Sequence, residues 1–139
     1  MNLLCIHSEM FSYSPKYEAP KTKISFKDNT LRKPKYIDCL VIWITIDKDD
    51  NIETKHQKAI KEITKIVTDL RAKTVVLMPV SHLLPTPMPS KLALDWLLKL
   101  REDLDKNQNF TCYLEPFGFV GNWKISSKNH KRSVLGRWI

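Results

Sequence analysis

The sequence predicts an α/β fold, a mixed β-sheet covered by two helices. Three observations carry that expectation. Residues 39–46, Cys-Leu-Val-Ile-Trp-Ile-Thr-Ile, are almost continuously apolar and rich in β-branched side chains, as in a strand covered on both faces. Two later segments repeat apolar residues at spacings of three and four, the period of a helix with one buried face. Strand-like and helix-like segments then follow one another as β–β–α–β–α–β–β, which argues for helices packed on a sheet. A length of 139 residues fits one domain, read here as spanning residues 1–139.

Residues 2–7 form a short buried strand in this reading. Residues 8–35 are polar, contain Pro15, Pro20 and Pro34, and read as a long excursion with one weak edge strand near 23–26. Residues 37–46 are the central strand, and 47–51 a turn. The first helix is expected over residues 54–73, with Ile60, Ile63, Ile66, Val67 and Leu70 sharing its inner face. Residues 74–80 give a second buried strand. Pro85, Pro87 and Pro89 make the segment 81–89 a stiff loop. Ser90 is placed to cap a second helix that runs to residue 105, with Ala93, Trp96, Leu97, Leu100 and Leu104 facing inward. Residues 110–115 alternate in the strand period, with Phe110, Cys112 and Leu114 inward. Residues 116–121 turn the chain into a last strand over 122–127.

Composition narrows the function. No apolar run approaches the roughly 20 residues that span a bilayer, and the first ten residues are too polar for a signal peptide, so a cytoplasmic protein is expected. Cys5, Cys39 and Cys112 are scattered, without a CxxC pair, and read as core thiols in a reducing compartment. No metal or cofactor is expected, and with only three glycines there is no phosphate-cradling loop. The net charge of +8 is uneven. Residues 121–139 hold five basic side chains, Lys124, Lys128, Lys131, Arg132 and Arg137, and no acidic one. Such a block either attracts polyanions or merely solvates a surface.

Among residues that could carry chemistry, His82 stands first. It follows the strand ending at Met78 and Pro79, where sites of α/β folds tend to lie. His7 closes the first strand, with no carboxylate visibly poised beside it. His130, within the basic stretch Ser126-Ser-Lys-Asn-His-Lys-Arg132, reads locally as a solvated turn residue. No serine sits in a GxSxG turn, so a serine-hydrolase triad lacks support.

Three segments together resemble a known family. Residues 3–8, LLCIHS, resemble the opening LLIHSD strand of the archaeal threonyl-tRNA synthetase editing domain. Residues 78–83, MPVSHL, with Pro89 and Ala93 after them, resemble its YPxAHLS…P…A segment. Phe117-Gly118-Phe119, Trp123-Lys-Ile-Ser126 and Lys128-Asn-His130 resemble its FGxYKxFKISCKGH segment. The resemblance implies a D-aminoacyl-tRNA deacylase-like fold, a homodimer, no cofactor, and a synthetase catalytic body in cis or in trans. It implies removal of serine wrongly attached to threonine tRNA. Such editing is needed because one missing methyl gives an aminoacylation pocket only about 1–3 kcal/mol of discrimination.

Carried over residue by residue, His82 matches the site histidine. Pro79, Ala93, Phe117 and Gly118 match pocket walls, and Ile46 matches a residue whose backbone holds the terminal adenosine. His130 matches the histidine after the last strand, and Lys124, Lys128, His130, Lys131 and Arg132 are the expected contacts to tRNA. The family's site tyrosine and lysine are replaced by Val120 and Gly121, its cysteine by Ser127 and its later glutamate by Val134. Loss of such donors implies weakened hydrolysis, or a catalytically degenerate module that binds tRNA or dimerises. The smaller Val120 and Gly121 are also expected to enlarge the pocket beside His82.

Overall fold

A computed structural model of the chain describes residues 1–18, 28–81 and 83–139. Among these described residues nine elements follow in order: β1 (Asn2–Glu18), a 3-10 turn (Asn29–Leu31), β2 (Tyr36–Thr45), α1 (Ile52–Leu70), β3 (Thr74–Pro79), α2 (Ser90–Asp105), β4 (Thr111–Leu114), β5 (Phe119–Ser127) and β6 (Val134–Trp138). Six strands form one mixed sheet in the order β4-β3-β2-β1-β5, and β6 also pairs with β1. The parallel pairs are β2 with β3 and β3 with β4; the neighbours of β1 all run antiparallel to it.

β1 is far longer than the short strand expected, and its second half takes up residues 8–18 of the expected excursion. Leu3 and Cys5 lie in the core beneath the helices, whereas Phe11 and Tyr13 lie in a second core on the other face. All four are odd-numbered. An extra residue at Glu9, where the register slips between Ser8 and Met10, turns the strand over. Asp38, in the left-handed region at φ 49°, lies across from Glu9 on β2, where the β1–β2 pairing skips one position and keeps its register. The edge strand expected near 23–26 falls outside the described residues.

α1 begins two residues earlier than expected because Asn51 accepts the Thr54 N–H at 3.1 Å. It ends where Arg71 turns left-handed and Ala72 N–H reaches back to the Val67 carbonyl at 3.1 Å. α2 matches the expected span, but its cap does not. Pro89 occupies the N-cap position with no side-chain cap, and Ser90 is already helical. β6 was not anticipated at all. The inner faces of both helices pack with Leu40, Ile42, Ile44, Val75 and Leu77 in the larger core. Among the described residues no helix is long and apolar enough to cross a membrane. All three cysteines are buried and free, and burial pushes the Cys5 and Cys39 thiols up to about 12.

Candidate functional site

The proline-rich loop lies across the end of β2. Val80 N–H donates to the Ile44 carbonyl at 3.0 Å, Met88 N–H to the Ile46 carbonyl at 2.9 Å and Lys48 N–H to the Thr86 carbonyl at 3.0 Å. The Thr86 hydroxyl adds a forked bond to Asp47 at 3.1 and 3.3 Å. Ile46 and Ala93 are nearly enclosed, at 6% and 7% exposure, in one apolar cluster with Met88, and Phe117 packs against it. Pro79 sits half-buried opposite Ile44. Ile46, just past β2, and Ala93, on α2, thus belong to the larger core, with Phe117 packed against that core and Pro79 one strand over from Ile44. His82 lies outside the described residues.

From β4 the chain crosses to β5 through a buried polar network that the sequence reading missed. Glu115, fully buried, receives the Arg32 Nε at 3.0 Å and the Tyr36 hydroxyl at 2.7 Å. Arg32 also donates to the Tyr13 carbonyl, and the Tyr13 hydroxyl donates to the Phe119 carbonyl at 3.0 Å. The two ends of the crossover are therefore tied to β1 and β2, with Gly118 turning between them at φ 80°. Burial raises the Glu115 carboxyl above the usual carboxylate range, although Tyr36 and Arg32 oppose the shift. A glutamate between Leu114 and Pro116 at the end of an apolar run was the one available signal, since a buried carboxylate needs partners. A cleft of about 300 Å³ opens beside the network, with Arg32, Tyr13 and Ser14 in its walls. None of the anticipated pocket residues lines it.

Val120 and Gly121 pair with Tyr17 and Pro15 on β1. A β-carbon at Gly121 would stand 2.1 Å from the Ser14 carbonyl oxygen and 2.7 Å from the Pro15 α-carbon. The expected enlargement at Gly121 is therefore overturned, because β1 backbone fills the space that a side chain would take.

The basic stretch is less available than its composition implies. Lys128 is bonded to Asp38, Arg132 to Asp69 at 2.9 Å and Arg137 to Glu62 at 2.6 Å. Lys124, opposite Ser12 on β1, and Lys131 are exposed and have no acidic partner among the described residues. His130 is not simply a solvated turn residue. Its Nε2 lies 3.0 Å from the Nδ1 of buried His7, and the two rings meet edge to face. Asp38 stands 3.6 Å from the other His7 nitrogen, so β2 supplies the carboxylate that the sequence did not reveal. Among the described residues no group of three or more His, Cys, Asp or Glu side chains is arranged to hold a metal ion.

Residues 1–139 match the family described as the archaea-specific editing domain of threonyl-tRNA synthetase. The chain belongs to that family. It is 33% identical over 141 aligned positions to the threonine–tRNA ligase of Methanococcus aeolicus, and 32% identical to that of Methanocaldococcus jannaschii. The ligase of Thermococcus sibiricus matches at 29%. Each alignment takes in 100% of this chain but only 22% of the relative, so the chain spans about a fifth of their length. Among solved structures, the c-Myc DNA unwinding element binding protein superposes with a TM-score of 0.68. It covers 100% of this chain and 99% of its own at 11% identity, a likeness of fold alone. The fold is the D-aminoacyl-tRNA deacylase-like one that the family resemblance implied.

Proposed function

We propose that this domain hydrolyses serine from mischarged threonine tRNA, with chemistry weakened by the missing lysine, tyrosine and glutamate of the family. The whole-chain family match carries this reading. The burial of Ile46 and Ala93 in the larger core, with Phe117 packed against that core, supports it, because a small, rigid apolar wall is what excludes a side chain one methyl larger. His82 is the residue we assign to the chemistry, with Pro79, Gly118 and Val120 completing the walls. Backbone donors stabilise the developing oxyanion. The partners in this reading are tRNA(Thr), a second copy of the domain and a synthetase body, and the setting is cytoplasmic. Lys124 and Lys131 are its readiest contacts to phosphate; Lys128, His130 and Arg132 reach RNA only by sharing or leaving their present partners.

One observation favours a second reading, a non-catalytic module that binds tRNA or dimerises. The position of the family lysine is closed by β1 backbone at Gly121, so the chain could not regain that group without moving β1. Release of serine from Ser-tRNA(Thr) and of threonine from Thr-tRNA(Thr), measured for wild type and His82→Ala, decides between the two. Serine-selective release by wild type that falls at least about tenfold in His82→Ala sustains the enzyme. Release at the buffer rate, together with retained tRNA binding, sustains the module.

A further inference from the structure

The polar groups of the turn that joins β5 to β6 form a one-directional hydrogen-bond chain into the sheet. The Arg132 backbone N–H donates to His130 Nδ1 at 3.2 Å, which leaves a neutral His130 with its proton on Nε2. That proton lies on the 3.0 Å contact to His7 Nδ1, so a neutral His7 carries its own on Nε2. His7 Nε2 is buried, without a hydrogen-bond partner, and 3.6 Å from the Asp38 carboxylate that Lys128 holds. The backbone of His7 brackets the same turn: its N–H donates to the Ser133 carbonyl and its carbonyl accepts from Lys128 N–H, both at 2.8 Å.

The two rings have four nitrogens, of which the facing pair can hold only one proton between them. Two protons satisfy every link of the chain and leave only the His7 Nε2–H unbonded, 3.6 Å from Asp38. A third has one place to go, His130 Nδ1, where the Arg132 N–H already points. We propose that His7 and His130 form an acid-released latch on the turn 128–133, closed with two ring protons and opened at the Arg132–His130 bond by a third. The latch goes beyond the hydrolytic reading and does not depend on it. It governs how the exposed Lys131 is presented, because Lys131 lies between the two residues of the bond that opens.

The groups facing the rings set the pH at which it acts. Burial first, then the Lys128 ammonium and His130, hold His7 below its ordinary value, and Asp38 on β2 opposes them. On the α1 side, Asp69 pairs with Arg132 and keeps the turn close to the helix when the latch is open.

The test is a pH titration of the full chain, labelled with 15N, read at the ring nitrogens and at the Arg132 amide. At pH 7.5 both rings should be neutral with the proton on Nε2. Between pH 7.5 and 5 the Arg132 protection factor, corrected for intrinsic exchange, should fall about tenfold, the scale of one lost hydrogen bond. His130→Asn keeps an acceptor near the Nδ1 position but cannot titrate, so its Arg132 protection should stay flat over that range. A proton on His130 Nδ1 at pH 7.5 would overturn the latch. So would wild-type protection that survives to pH 5, or a fall in His130→Asn equal to that of wild type.

Discussion

At Gly121 the β1 backbone comes within 2.1 Å of where a β-carbon would sit. Gly121→Lys should therefore not restore the family's chemistry but strain the β1–β5 pairing, at a cost of about 1–3 kcal/mol or more. Chemical denaturation reads this directly; a Gly121→Lys chain as stable as wild type and newly active in deacylation would show that β1 yields. His7 makes a second prediction at this scale. Its folded-state value lies below the ordinary 6.5, so the unfolded chain binds more protons once the pH drops under that value. The His7 contribution should be complete above pH 6.5 and be lost as the pH falls below it, visible as a declining urea midpoint that is shallower in His7→Asn. Both residues show what the sequence could and could not reveal of the site. Gly121 was legible as a departure from a motif, but the Ser14–Pro15 backbone against it was not, because only the β1–β5 register brings them together. His7 and His130 were each legible as histidines near strand ends, yet their contact joins residues 123 positions apart.

The helices illustrate how far local rules carry an element. α2 was legible in its span but not in its cap, because the proline loop stops on one side and the apolar stripe runs on the other, while Pro89 rather than Ser90 takes the cap position. α1 was legible in its stripe but not at its start, since Asn51 closes the polar turn 47–51 and also caps the helix through its side chain. Asn51→Ala should cost about 1 kcal/mol, seen as a lower denaturation midpoint with an unchanged slope, whereas Asn51→Ser should cost little. An unchanged midpoint in Asn51→Ala would mean that water satisfies the Thr54 N–H equally well. The strands were read less completely. β1 hid its length because an extra residue at Glu9 exchanges its faces, and simple alternation does not survive such a slip. β6 hid in a basic stretch because its one cation, Arg137, is aimed at Glu62 on α1 rather than at water.

Over the whole molecule, a net charge of +8 overstates the free positive surface, since three of the five cations in residues 121–139 are matched by Asp38, Asp69 and Glu62. Each phosphate contact contributes roughly 0.7–0.9 to the slope of log affinity against log salt. Lys124→Ala and Lys131→Ala should each reduce the slope for tRNA by about that amount, and Arg137→Ala should leave it unchanged. A slope that falls as far in Arg137→Ala would show that the ion pair with Glu62 opens to take RNA.

The central place of β1 also bears on how the chain is made. Its first residues pair with β6, Asn2 with Trp138, and its later ones with β2 and β5. Contacts of such sequence separation close late and slow the search for the native arrangement. On a ribosome, Asn2 emerges well before its partner Trp138, which is synthesised 136 residues later. Until then the leading segment of β1 keeps an open backbone edge, so within this sheet the earliest strand is the last to be completed.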